Sequence, residues 1–237
     1  MLATVRKTVL CAGAAVVVVA LCTPSPAEAA FKLQLCSAVA GSCVEIEDQE
    51  AGVDSNGNVG AITWIGSIGN FTINVSTGLS KPVFPSSASL SRMDLNSVNT
   101  STGADELLIF LTDTDFAGSL PGALRGEVGG TTNGTVDFAA CKDPGNTEYS
   151  TECQETEPTI FLGPFEDGAF SDAATEPHGA LGPYSMTLIA HIVHGSGVQS
   201  TSFDFEVSNI AEPATLALFG LGLIGVGTKI VRRRQRR

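Results

Sequence analysis

The sequence predicts an all-β body, an antiparallel β-sandwich or jelly roll, flanked by an N-terminal signal peptide and a C-terminal transmembrane helix. Three observations predict it. Short runs of alternating apolar and polar residues recur through residues 31–208, the period of a half-buried strand. Clusters of Gly, Pro, Asn, Asp and Ser separate these runs, as turn chemistry requires. The two ends instead carry continuous apolar stretches beside basic residues.

About ten strands follow in order. Residues 31–35 and 43–47 alternate apolar with polar, and 48–60 are turn-rich. Residues 59–65 and 71–75 form a paired set joined by 66–70, with Phe71, Ile73 and Val75 on one face. A Ser/Gly/Pro loop covers 77–89, and 90–98 alternates through Met93, Leu95 and Val98. The most continuous apolar run, 106–111 (Glu-Leu-Leu-Ile-Phe-Leu), is assigned to a central strand. Segments 124–128, 135–140, 159–162, 184–194 and 202–207 complete the set. In the last of these Phe203, Phe205 and Val207 alternate with Asp204 and Glu206.

The leader, residues 1–29, reads as a secretory signal peptide. Arg6 and Lys7 supply the charged start, 9–21 the apolar core, and Ala27-Glu28-Ala29 the cleavage pattern, which predicts a mature start at Ala30. The body spans 30–208. Residues 209–237 form a tail: a short linker, an apolar stretch at 214–231, then Arg232, Arg233, Arg234, Arg236 and Arg237. Eighteen residues sit at the lower edge of a bilayer span, for which about 20 are typical. Lys229 can snorkel to the interface, and the arginines hold the C-terminus on the cytoplasmic side. Gly220, Gly222 and Gly225 match G-x-G-x-x-G literally. With no strand before them and no acid after them, they read as small residues of a membrane helix.

The formal net charge is −12, unevenly spread. Lys32, Lys81, Arg92, Arg125 and Lys142 are the five basic residues of the body; against 23 carboxylates they leave it near −18. Such a body repels nucleic acid and anionic headgroups. Four of the six cysteines lie outside the leader, Cys36, Cys43, Cys141 and Cys153. An even number in an exported chain suggests disulfides, and the spacings favour two local loops, Cys36–Cys43 and Cys141–Cys153. A zinc site is the rival, but no C-x-x-C pair is present.

The tail resembles a known family. Glu212-Pro213-Ala214-Thr215, the glycine-bearing apolar stretch and the arginine block are similar to the PEP-CTERM sorting signal of Gram-negative bacteria, with Ala211 where the naming motif has its first proline. The resemblance implies recognition by exosortase, a membrane-embedded cysteine transpeptidase, and removal of the tail during export after signal peptidase has acted at the other end. It implies nothing about the chemistry of the body.

Within the body, no nucleophile motif and no cofactor fingerprint is found. Asp54, Asn56 and Asn58 place oxygen ligands at calcium-loop spacing, but Val59 and Ile65 stand where an EF-hand needs Gly and an acid; a bulged turn explains the same residues. Asp113 and Asp115, after the central strand, are a second weak calcium pair or an exposed turn. His191 and His194 fall on opposite faces of the predicted strand. Trp64 is the only tryptophan and reads as core.

These observations predict an exported cell-surface or exopolysaccharide-matrix protein, sorted by exosortase, with a non-enzymatic structural or adhesive role and no cofactor. The alternatives are a carbohydrate-binding module using Trp64, Tyr184 and loop carboxylates, with or without calcium, and an uncleaved single-pass membrane protein.

Overall fold

A computed structural model of the chain describes residues 30–87, 90–150 and 159–211. Ten antiparallel strands make up about two thirds of it: β1 (Lys32–Ser37), β2 (Ser42–Glu47), β3 (Ala61–Ile68), β4 (Phe71–Leu79), β5 (Arg92–Ser101), β6 (Asp105–Phe116), β7 (Gly122–Asp143), β8 (Thr159–His178), β9 (Tyr184–His194) and β10 (Gln199–Ala211). They form one sheet in the order β2-β1-β6-β9-β7-β10-β5-β4-β3, with β8 on the remaining edge of β7.

The sheet turns over itself because β7 belongs to both halves. Its later part, from Thr135, pairs with β9, and its earlier part, up to Thr132, pairs with β10. The turnover falls at a register shift between Thr132 and Thr135, where a bulge sharpens the bend. β8 follows β7 around the same corner, Thr159–Glu166 against the later part and Gly168–His178 against the earlier. The first layer is therefore β2-β1-β6-β9-β7-β8, and the second is β8-β7-β10-β5-β4-β3.

Apolar faces of the two layers meet. Phe138 of β7 packs edge-on to Phe203 of β10, ring centroids 4.9 Å apart, and lies 5.2 Å from Phe205. Phe71 of β4 lies 4.8 Å from the His194 ring of β9. Around them Leu33, Leu35, Ile109, Leu111, Leu188, Ile192, Met93 and Leu95 are fully buried.

Against the sequence reading, the runs at 124–128 and 135–140 are one strand, not two. The strand expected to end at 162 continues to His178. The hairpin expected to turn through 66–70 turns tightly at Gly69 (φ +56°) and Asn70. A Cβ on Gly69 would meet Ser37 Oγ at 2.0 Å and Asp105 Oδ2 at 2.3 Å, so only glycine fits. Asp105 closes this end. Its carboxylate accepts from Ser37 Oγ (2.8 Å), Val39 N (3.0 Å), Asn70 N (2.8 Å) and Glu106 N (2.8 Å). Cys36 and Cys43 form the expected disulfide between β1 and β2. Cys141 is also disulfide-bonded; its expected partner, Cys153, lies outside the described residues.

Candidate functional site

The outer face of the second layer carries a groove. Strand alternation turns Phe203, Phe205 and Val207 inward and leaves Ser202, Asp204, Glu206 and Ser208 facing out. Register then stacks cross-strand rows. Asp94 of β5, Glu206 of β10 and Glu127 of β7 lie in one row; Asn96, Asp204, Gly129 and Ser171 lie in the next; Arg92, Ser208, Arg125 and Thr175 flank the first. Gly129 contributes no side chain to this face, so the surface dips between β5 and β8. One recess of about 490 Å³ is lined by Glu127, Ser171, Asp172, Asp204 and Glu206. A second, of about 380 Å³, adjoins it over Asn96, Thr131 and Ser202.

Two arginines frame the acids: Arg92 pairs with Glu206, and Arg125 with Glu127. Both pairs are partly solvated and contribute little to stability. Among the described residues neither Asp94 nor Asp204 has a cation within ion-pair distance. Asp94 is pushed up to about 7 by burial, by a hydrogen bond with Asp204 and by the charge of Asp204 and Glu206. Asp94 therefore holds its proton more tightly than an ordinary carboxyl, as an acid buried beside other acids does. A carboxyl beside a carboxylate offers one donor and several acceptors on an open floor.

A third recess, about 430 Å³, lies between the turn after β2 and the start of the 81–87 loop, lined by Asp48, Gln49, Val59, Lys81, Pro82 and Asp113. Asp113 at its base is fully buried. Its Oδ1 lies 2.7 Å from Lys81 Nζ, an ion pair that lacks hydrogen-bond geometry. Its Oδ2 accepts from Ser80 Oγ at 2.5 Å. Burial pushes its carboxyl up to about 6, with Lys81 opposing.

The residues singled out in the sequence are not brought together. Asp113 and Asp115 lie within β6 rather than in an exposed turn; the first is buried, the second exposed, with a left-handed backbone (φ 59°) at a register shift. Asp115 Oδ1 accepts from Asn146 Nδ2 at 2.7 Å. Asp54 Oδ1 accepts from the amides of Asn56 (2.8 Å) and Thr63 (2.9 Å), and Asn56 Oδ1 from the amide of Asn58 (3.1 Å). Their oxygens cap a turn. Among the described residues no group of three or more His, Cys, Asp or Glu could hold a metal ion. His191 faces out beside Asp137, and His194 faces in toward Ser101 and Thr201. Tyr184 is fully buried and stacked on Phe116, which removes it from the expected sugar-binding set. Trp64 is half-buried, packed against the core and lying over Gly66. Ala27, Ala29, Glu212, Pro213, Ala214, Thr215, Lys229, the arginine block and the expected transmembrane helix lie outside the described residues. Among those described, no helix is long and apolar enough to cross a membrane.

The strands end at Ala211. From the next residue, 212–237, the sequence matches the model of the PEP-CTERM protein-sorting motif. The chain carries a PEP-CTERM sorting signal. The motif implies export, sorting to the cell surface and processing by exosortase. It matches the tail alone, so the groove and the rest of the sandwich lie outside it. No curated protein matches the sequence. Among solved structures, the chain is similar to the enzymatically active domain of bacteriophage CBA120 tailspike protein 4 (8% identity, TM-score 0.32), covering 59% of this chain and 20% of that one. It is also similar to TmCBM61 in complex with β-1,4-galactotriose (8% identity, TM-score 0.31; 60% and 90% covered). A third likeness is to the K1 cleaved adhesin domain of Lys-gingipain from Porphyromonas gingivalis (10% identity, TM-score 0.26; 65% and 99% covered). At these TM-scores the likenesses carry no argument about the sorted body.

Sequence reasoning missed the groove. The alternation at 203–207 already placed Asp204 and Glu206 on one face. Nothing in the sequence told which strands flank β10, so Asp94 and Glu127 could not be added to them.

Proposed function

We propose that the protein is an exported, non-enzymatic structural or adhesive component of the cell surface or exopolysaccharide matrix. Its sorting tail is held in the inner membrane transiently, through an apolar helix, before exosortase removes it. The observation that carries this reading is the sorting motif beginning at residue 212, directly after the last strand. The test is mass spectrometry of the released protein from cells with and without exosortase. The reading expects a released form that lacks the arginine block in the first and membrane retention in the second. An intact arginine block on the mature protein overturns it in favour of a single-pass membrane protein. Turnover of glycan, ester or peptide substrates by the pure protein overturns the non-enzymatic part.

The layer orders support the finer, jelly-roll reading of the fold. From β5 onward the chain supplies four segments to each layer: β5, β10, early β7 and late β8 to the second, and β6, β9, late β7 and early β8 to the first. Eight segments wrapped between two sheets in this way are the arrangement that a pair of Greek keys would give.

A second reading, a carbohydrate-binding module, is favoured by the glycine-floored groove with its hydrogen-bonded acids, Asp94 and Asp204. Calorimetric titration with neutral oligosaccharides tests it. Binding that Asp204→Asn abolishes supports it; identical affinities in the two proteins overturn the groove as the site. Loss of binding on adding a chelator marks its calcium-dependent form.

A further inference from the structure

Lys142 is 1% exposed and has no carboxylate within ion-pair distance among the described residues. A lysine so placed is rare, because burying an unpaired ammonium costs several kcal/mol. Burial alone pushes it down to about 7. Its Nζ lies 2.6 Å from Asn209 Oδ1 and 3.0 Å from His178 Nε2, and 4.6 Å from the centre of the Tyr184 ring. Asn209 is 2% exposed. His178 Nε2 also lies 2.6 Å from Asn209 Oδ1, while its Nδ1 lies 2.7 Å from the carbonyl of Gly179. Nε2 lies between the Lys142 amine and the Asn209 Oδ1 acceptor, so the ring can donate to Oδ1. Burial favours the uncharged amine of Lys142. The remaining atom of the group, Asn209 Nδ2, is buried and has no hydrogen-bond partner, the costliest state for an amide N–H.

The three residues come from different places. Lys142 lies near the end of β7 in the first layer, Asn209 on β10 in the second, and His178 ends β8. A nucleophile, a carbonyl polarised by an N–H and an unpartnered leaving group are thereby assembled in a water-poor core.

We propose that Lys142 and Asn209 join in an intramolecular isopeptide bond that ties β7 to β10. The Lys142 amine attacks Cγ of Asn209, forming the new C–N bond, while His178 Nε2–H stabilises the charge gathering on Oδ1. The Cγ–Nδ2 bond breaks, and Nδ2 departs as ammonia, taking up the proton that the Lys142 nitrogen gives up on becoming an amide. One amide replaces another, one ammonia leaves, and no oxidant or reductant is needed. The link would fasten the last strand to the opposite layer, ahead of the residues through which the sorting tail is attached.

The test is the intact mass of the purified, disulfide-reduced, full-length protein, followed by peptide sequencing. The expected mass is that of the sequence less one ammonia, with no tryptic cut after residue 142 and the peptide of Lys142 joined to that of Asn209. A mass equal to the sequence, with both side chains recovered free, overturns the proposal without any variant. Cyclisation of Asn209 on its own backbone also releases ammonia, so Lys142→Met decides between them. The proposal expects the deficit to vanish in that variant; its persistence is an imide and overturns the link. His178→Gln is expected to slow bond formation about 100-fold, the range of a lost general acid.

Discussion

The buried carboxylate of Asp113 lies 2.7 Å from the ammonium of Lys81, and the pair joins β6 to the loop that follows β4. Lys81 also donates to the Thr114 carbonyl and sits 4.3 Å above the Phe116 ring. Replacing it with methionine keeps the apolar stem over Phe116 and leaves Asp113 uncompensated. Lys81→Met is expected to cost about 3–5 kcal/mol, the usual result of removing one partner of a buried pair. The double variant Lys81→Met/Asp113→Asn recovers much of that loss. Urea unfolding of the four proteins in the cycle checks it; a double variant no more stable than Lys81→Met refutes the pairing argument.

The raised carboxyl of Asp94 sets a pH dependence. Asp94 is raised to about 7 and Asp113 to about 6, both by burial first. His191 is raised by its hydrogen bond to Asp137. In each case the folded state binds its proton more tightly than the unfolded chain. The resulting stability is complete below the unfolded pKa and is lost as pH rises through the folded one. Asp105 and Asp143 are lowered and lose their contribution only at still lower pH. The melting temperature is therefore expected to fall between about pH 5 and about pH 6.5. Asp94→Asn flattens that slope, and calorimetry of both proteins over this range is the check. A melting temperature that rises across it contradicts the assignment.

The parts of the fold legible in the sequence are those buried on at least one face with regular alternation. Residues 106–111 stood out because the strand is interior, and its Leu107, Ile109 and Leu111 are fully buried. Residues 163–178 were invisible for the opposite reason. Glu166, Asp167, Ser171, Asp172 and Glu176 are exposed on an edge strand, whose existence depends on the free edge of β7 rather than on its own apolar pattern. Likewise Gly129, Gly130, Asn133 and Gly134 read as a turn, yet they carry β7 from one layer to the other. A Cβ at Gly130 would lie 2.2 Å from the Ser202 carbonyl, a constraint set by a strand 70 residues away. The same limit applied to chemistry. Lys142 was one of five basic residues in the body, and only tertiary structure places it against Asn209.

Phe138 is the point where the layers are fastened. Its ring meets Phe203, Phe205, Phe165 and Phe170 at centroid distances of 4.9, 5.2, 6.3 and 6.0 Å. Phe138→Ala opens a cavity that neither sheet can close without moving as a whole. The expected loss is about 3–5 kcal/mol, whereas Phe138→Leu, which keeps most of the volume, costs clearly less. Chemical denaturation of both variants tests this; equal losses would show that volume is not what the position supplies.

Asp105 ties three segments together with one side chain: the end of β1 through Ser37 and Val39, the β3–β4 turn through Asn70, and its own strand through Glu106. Burial opposes its charge, but the amides of Asn70 and Val39 and the Ser37 hydroxyl outweigh that and hold the carboxyl below its ordinary value. Asp105→Asn keeps the shape but turns one acceptor oxygen into a donor facing other donors. The expected cost is about 2–3 kcal/mol, that of hydrogen bonds to a charged group. Because the lowered pKa gives stability that is present at neutral pH and lost on acidification, the gap between wild type and Asp105→Asn should narrow as pH falls through the folded pKa of Asp105. Hydrogen exchange adds a local readout. The amides of Asn70 and Val39 should lose protection in the variant, while those of the β7–β10 ladder keep theirs; uniform loss across the sheet would show that Asp105 acts only through global stability.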